Sequence, residues 1–282
     1  MSIAIVTDSS SDVPRDLCKK YKIKVVPLSI IFEKKRFTDD GVDITIKEFY
    51  KKLKTAEKLP TTAQPSPGDF LEVYKELLKN YDSIVSIHIS KKMSNTVNSA
   101  EMAKKELPGK DIEIIDSEFV HIPCGFLAIK AAQLAQEGKS KDEILKAVYD
   151  LKSKVKELFI PSTLEYLKKG GRIGRAKGLL ASLLDIKPIL TLNFGEVSQF
   201  KSTRRWGQAK KELINSMKDI TKKGENLIVA VGDSDSKEEG DEMAERIKTT
   251  FNPRQLLRVD IGGIVGTHLG PGALSVTFYE EE

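Results

Sequence analysis

Ile3-Ala4-Ile5-Val6-Thr7-Asp8-Ser9-Ser10-Ser11-Asp12-Val13-Pro14 decides the fold. The run from Ile3 to Thr7 has no polar alternation, which reads as a strand covered on both faces, the kind found in parallel sheets. Asp8 to Asp12 supplies turn and cap residues. Pro14 then opens a helix to about Tyr21, at a position where a missing N–H costs nothing. The same unit recurs further along the chain. Ser83 to Ile89 reads as a strand before Ser94-Asn95-Thr96 and a helix ending near Leu107-Pro108-Gly109. Ile112 to Ile115 reads as another, before Asp116-Ser117 and a long apolar helix from about Pro123 to Gln136. Val25 to Phe32 is expected to be one further strand. Ser66-Pro67-Gly68-Asp69 joins an N-cap, a first-turn proline and a capping-box acid ahead of a helix to about Asn80, and Ser140 with Glu143 caps another. Strands separated by helices of this length predict an α/β fold with a mostly parallel sheet flanked by helices.

The second half has a different rhythm. Leu158 to Ile160 leads into Ser162-Thr163-Leu164-Glu165, read as a capping box, and a short helix that stops at Gly170-Gly171. Ile186 to Leu192 and Glu196 to Lys201 flank Asn193-Phe194-Gly195 as a hairpin. A helix follows, then a strand from Asn226 to Gly232 and a helix to about Thr250 capped by Ser236 with Glu239. Leu256 to Ile261, a glycine-rich loop and Ala273 to Phe278 close the chain. This pattern predicts a second α/β domain with a mixed sheet. The expected domains are 1–156 and 157–282, with no low-complexity linker between them.

Composition narrows the function classes. The 282 residues carry 46 Lys plus Arg against 41 Asp plus Glu, a net +5, with 40% apolar residues. That balance excludes a disordered or disulfide-stapled chain. No run approaches the ~20 apolar residues of a membrane-spanning helix; the stretch from Phe119 to Ile129 is shorter and carries His121 and Pro123. The amino terminus has no basic segment ahead of its apolar run, so no leader and a cytoplasmic location are expected. Cys18 and Cys124 stand far apart without partners at metal-ligand spacing, so no metal site is expected. The modest positive charge reads as a solvated Lys/Glu surface. It carries no nucleic-acid signature and allows at most transient membrane contact.

Four features carry chemistry. Hydroxyl-rich segments follow the strands at Asp8-Ser9-Ser10-Ser11, Ser94-Asn95-Thr96 and Asp116-Ser117, where an open parallel sheet forms its ligand crevice and helix amino termini favour anions. The same residues are also the ordinary caps of βα turns. Pro60-Thr61-Thr62-Ala63-Gln64-Pro65-Ser66-Pro67 holds three prolines in eight residues, a stiff connector that presents threonines ahead of a helix. Lys168-Lys169-Gly170-Gly171-Arg172-Ile173-Gly174-Arg175 combines close backbone approach with fixed positive charge. Gly262-Gly263-Ile264-Val265-Gly266-Thr267-His268-Leu269-Gly270-Pro271-Gly272 places one imidazole, a hydrogen-bond donor for an anion, in a loop costly in backbone entropy. Nucleotide loops, a GxSxG elbow, HExxH and CxxC are all absent from the sequence. A Ser94–His268–Asp8 triad stays open, though nothing in the sequence calls for it.

In this order the motifs resemble the DegV family of fatty-acid-binding proteins. The matching stretches are Thr7-Asp8-Ser9, Thr62 to Ser66, Ser94-Asn95-Thr96 with Asn98-Ser99-Ala100, Asp116-Ser117, Leu164 to Gly174, Ile186 to Leu190 and Gly266 to Ala273. The resemblance implies two α/β domains with a long-chain fatty acid, palmitate-like, buried between or beside them. It implies a carboxylate held by the Thr62 hydroxyl and by Ser94 and Asn95, with His268 nearby. Arg172 matches a ligand-site position, and Arg204 a position associated with docking a kinase partner. It further implies a non-catalytic carrier in lipid metabolism or transport, without a cofactor, that presents its acid to a separate fatty-acid kinase. The enzyme-class alternative is a hydrolase or phosphotransferase acting on a small phosphorylated substrate, with Asp8 or His268 as base.

Three positions depart from the family pattern. Asn95 stands where glycine is usual, Ala63 replaces a common serine, and Glu118 to Gly125 replaces small and hydroxyl residues. The helix of Phe119, Ile122, Phe126, Leu127 and Ile129 is apolar on more than one face, which suits packing against a sheet and a ligand, or simply burial between domains. About 14 methylenes at ~0.8 kcal/mol each offer roughly 11 kcal/mol of gross transfer free energy, which only an enclosed apolar site collects.

Overall fold

The computed structural model describes residues 2–182, 186–221 and 226–281, with side chains left aside at 180–182. The chain divides into two compact units, Met1–Thr45 with Ala56–Ser153, and Ile46–Thr55 with Lys154–Glu282.

In the first unit, β1 (Ile3–Asp8) is followed by a 3-10 turn (Ser9–Ser11), α1 (Arg15–Tyr21) and β2 (Lys24–Val26). The expected single strand from Val25 to Phe32 is two strands in two different sheets. Pro27 lies between them and has no N–H to continue a ladder. Beyond it, β3 (Ser29–Phe32) pairs antiparallel with β4 (Lys35–Thr38). The next element, α2 (Ile46–Thr55), belongs to the second unit although it precedes the boundary expected near Lys156. After it, β5 (Thr61–Ala63) adds to β3, with Thr62 opposite Ile30. The proline-rich connector is thus partly strand.

The rest of the unit follows the βα pattern with α3 (Pro67–Leu77), β6 (Ser83–His88), α4 (Thr96–Lys105), β7 (Asp111–Asp116), α5 (Ile122–Gln136) and α6 (Lys141–Lys154). The main sheet is parallel in the order β2-β1-β6-β7. Every residue of β1 and β6 is buried, which explains the apolar run Ile3–Val6 and the apolar Ile84, Val85 and Ile87. Phe70 and Tyr74 of α3 and Ala100 and Ala103 of α4 share one core with Val6, Ile84 and Ile112. Residues 122–129 of α5 are all buried, as its apolarity on more than one face predicts. Because β1 leads to β2 on one side and pairs with β6 on the other, the chain changes direction at the carboxyl ends of β1 and β6. Such a switch point opens a crevice there.

The second unit contains β8 (Lys156–Ile160), α7 (Glu165–Lys169), a 3-10 segment (Gly174–Ser182), β9 (Lys187–Asn193), β10 (Glu196–Thr203) and α8 (Trp206–Ile220). It continues through β11 (Leu227–Asp233), α9 (Lys237–Phe251), β12 (Gln255–Asp260), α10 (Gly263–Leu269) and β13 (Leu274–Glu280). Its mixed sheet runs β10-β9-β8-β13-β11-β12, with only β11 and β12 parallel, joined through α9. Leu213 and Met217 of α8 and Met243 and Ile247 of α9 pack on Val229, Val231, Val276 and Phe278.

Three local expectations for this unit are corrected. Ser162 does not cap α7: its hydroxyl donates to Pro271 O at 2.6 Å, and Leu164 occupies the N-cap. Ser236 and Glu239 form no capping box, because the Glu239 carboxylate accepts from Trp206 Nε1 at 3.1 Å and Lys210 Nζ at 2.6 Å. The glycine-rich segment is not a loop throughout but forms the short helix α10.

Candidate ligand-binding site

At the carboxyl end of β1, Asp8 is fully buried and accepts from four donors. These are Ser10 N at 3.1 Å and the Ser10 hydroxyl on one oxygen, and Ile89 N and His88 Nδ1, both at 3.0 Å, on the other. The open Ser94–His268–Asp8 triad is therefore not formed, since Asp8 pairs with His88. Ser86, His88 and Asp8 stand at hydrogen-bond distances familiar from hydrolases, with Ser86 Oγ 2.7 Å from His88 Nε2. Ser86 is buried, however, and its oxygen receives the Tyr74 hydroxyl at 2.8 Å, which leaves a substrate no approach to it. Sequence reading passed over this group. The signal was present in Ser86 and His88, two polar residues at period two in the buried strand β6, hence on one face of it.

The hydroxyl-bearing turn after β6 is tied at several points. Ser90 N donates to Phe119 O at 2.8 Å, and the Ser90 carbonyl accepts from Met93 N at 2.9 Å and Ser94 N at 3.0 Å. Ser94 is half-buried, with its Oγ 2.8 Å from that of buried Thr96. These hydroxyls stand at the start of α4, where the first-turn N–H groups lack intrahelical acceptors. Asn95 is exposed, and its side-chain oxygen accepts from Asn98 at 3.2 Å. Thr62, half-buried, projects from β5. Near the same end of the sheet, His121 Nδ1 lies 2.6 Å from Asp12 Oδ2, with His121 held at φ 62°, ψ −158°, a region otherwise kept for glycine. The segment from Glu118 to Gly125 is thus built around a His–Asp hydrogen bond rather than small hydroxyl residues. Asp39 is half-buried. Burial of its carboxyl, with Asp12, Asp40 and Asp8 around it, pushes it up to about 7 against the opposing Ser9 hydrogen bond.

In the second unit the two glycine motifs meet. Gly170, at the end of α7, lies against the His268 ring of α10. Gly270, at φ +78°, lets the chain pass the Tyr166 ring, which a Cβ would approach to 2.3 Å. On its other side, α10 meets α2: Gly266 faces Tyr50, whose hydroxyl donates to Ile261 O at 2.8 Å. Burial first, and then the charge of Arg172, lower the His268 imidazole to about 4, so the ring is neutral at physiological pH. Arg172 is exposed, with Nη1 donating to Gly170 O at 2.7 Å. Arg204, just before α8, is also exposed. Thr62, Ser94 and Asn95 thus belong to the first unit, and Arg172, Arg204 and His268 to the second.

Residues 2–281 match the model of a family described as "Uncharacterised protein, DegV family". The chain belongs to the DegV family. A DegV domain-containing protein of Caldanaerobacter subterraneus is 38% identical over 280 residues, covering 99% of each chain. Among solved structures, a fatty-acid-binding DegV family protein from Thermus thermophilus aligns with a TM-score of 0.94 at 32% identity, covering all of both chains. DegV of Bacillus subtilis, described as a fatty acid binding protein, aligns at 0.92 and 31% identity, again over all of both chains. The DegV fold accounts for the parallel sheet with flanking helices and the mixed second sheet. Among the described residues of this DegV chain, no helix is long and apolar enough to cross a membrane, and no group of three or more His, Cys, Asp or Glu is arranged to hold a metal.

Proposed function

We propose that this DegV protein binds one long-chain fatty acid non-covalently, as a carrier rather than a catalyst. The full-length likeness to two fatty-acid-binding DegV structures is the observation that carries the reading. The chemistry of the candidate residues supports it. An alkyl chain offers affinity through burial alone, so the polar groups need only orient the carboxylate and avoid leaving it unsatisfied. Thr62 and Ser94, with the N–H groups at the start of α4, are the donors we assign to the head group in the first unit. Neutral hydroxyls favour reversible release, whereas a buried arginine pair would hold the acid hard. In the second unit His268 is neutral but keeps one ring N–H, so it donates without requiring a proton from solvent. Asn95 and Arg172 are further candidate contacts, each open to its own substitution.

The carrier is further proposed to present its acid to a separate fatty-acid kinase, with exposed Arg204 as a docking residue. Lipid extracted from protein purified without added fatty acid, and identified by mass spectrometry, tests the central reading. A C16–C18 acid at about one per chain is expected. Protein that remains empty, and that takes up no palmitate after delipidation, overturns it.

A further inference from the structure

Four side chains of the first unit form a line of hydrogen bonds that head-group binding leaves unexplained. Tyr74 donates to Ser86, Ser86 meets His88 Nε2, and His88 Nδ1 meets Asp8 Oδ2, at 2.8, 2.7 and 3.0 Å. All four residues have 0% exposure. The other three contacts of Asp8 are all donors to it, so we assign the His88 proton to Nδ1. Nε2 is then an acceptor, the Ser86 hydrogen points at it, and the Tyr74 hydrogen fills the remaining need of Ser86. A single direction of donation satisfies every group. The Phe70 ring lies edge-on to the imidazole, with centroids 5.0 Å apart, and closes the line off from solvent.

The line ends on a loop that matters. The Asp8 oxygen that takes His88 Nδ1 also takes Ile89 N. Ile89 precedes Ser90, whose carbonyl receives the Ser94 N–H and whose hydroxyl receives the Lys92 N–H at 3.1 Å. Ser10 fixes the other Asp8 oxygen, and among the described residues His88 is the one side chain that shares with Ile89 N the oxygen on which the turn is hung; without it that oxygen keeps the Ile89 N–H alone.

We propose that His88 is a positioning residue, and that the Tyr74–Ser86–His88–Asp8 line sets the 89–94 turn and so aims the Ser94 hydroxyl at a ligand carboxylate. This rests on the assignment of Ser94 to the head group. The test is a double-mutant cycle on delipidated protein, with palmitate affinity as the readout. His88→Leu removes both ring nitrogens and is expected to weaken binding about tenfold, the scale of one misdirected hydrogen bond to a charge. His88→Asn, which restores a donor near the Nδ1 position, is expected to recover most of that loss. Added to Ser94→Ala, His88→Leu is expected to cost less than about twofold, whereas added to Thr62→Ala it keeps its full effect. A general loss of stability would add to both alike, so a full effect in the Ser94→Ala background overturns the proposal.

Nitrogen-15 NMR of the lipid-free protein gives a second reading, with His88 expected as the Nδ1–H tautomer and the Nε2–H tautomer overturning the proposal. If Ser94→Ala alone leaves affinity unchanged, the head-group assignment fails. The positioning is then judged in lipid-free protein by the Ser94 and Thr96 amide shifts, which move in His88→Leu if it holds and stay in place if it does not. Should His88→Leu fail to fold, Tyr74→Phe takes its place in the cycle and in the amide-shift comparison, with the same directions expected.

Discussion

The His268 ring fills the space that a side chain on Gly170 would need: a Cβ there would lie 2.3 Å from Nδ1 and 3.2 Å from Cε1. Gly170 has an ordinary helical backbone, φ −76°, so its lack of a side chain serves this contact and not a turn. Gly170→Ala is therefore expected to act through sterics alone. It should displace the ring and destabilise the fold by about 1–3 kcal/mol, as overpacking does. Urea unfolding together with the His268 ring resonances checks this; an unmoved ring with unchanged stability contradicts it.

Acid should weaken the fold through the same imidazole. His268 falls to about 4 when folded, against 6.5 ordinarily. Between those values the unfolded chain holds a proton that the folded chain does not, so stability is lost as pH falls through that window. The contribution is about 2–3 kcal/mol between pH 7 and 4. In His268→Gln the pH dependence of unfolding free energy should be flatter by that amount. An identical profile would place the titration elsewhere.

Asp39 should act in the opposite sense. Its carboxyl is pushed up to about 7, so the folded chain keeps a proton that the unfolded chain loses above 3.8. The stability tied to that proton is complete below about 3.8 and is lost as pH rises through 7. Asp39→Asn, isosteric and uncharged, should stabilise the protein at pH 8 by about 2 kcal/mol, a figure reduced for the residue's partial exposure, and change little at pH 4. Chemical denaturation at the two pH values decides it.

Thr62→Ala and Ser94→Ala are each expected to weaken palmitate binding by about 1–3 kcal/mol, the cost of a carboxylate deprived of one donor. Calorimetric titration of delipidated protein measures this. Unchanged affinity in both variants would put the head group elsewhere.

Much of the fold was legible because hydrophobic period is a local property. Ile3 to Thr7 and Ser83 to Ile89 read as strands from their short, mainly apolar runs, and the hydroxyl-rich turns after them as caps or ligand loops. Ser66 with Asp69 and Ser140 with Glu143 cap as read, since each box closes within four residues. Ser162–Glu165 and Ser236–Glu239 show the same pattern and do something else, because Pro271 takes the Ser162 hydroxyl and Trp206 and Lys210 take the Glu239 carboxylate from distant parts of the chain.

What the sequence determined alone was the kind of sheet, the places where hydroxyls gather and the family to which the order of motifs belongs, all written in spacings of a few residues. Tertiary structure decided which strand Pro27 divides, that Ile46–Thr55 serves the second unit, that Asp8 takes His88 as its partner, and that Gly170 makes room for His268. The last two depend on residues separated by 80 or more positions, and the Ile46–Thr55 assignment on a helix far from the rest of its unit in the chain. Their pairing follows from packing and hydrogen-bond satisfaction in three dimensions, which no local pattern encodes.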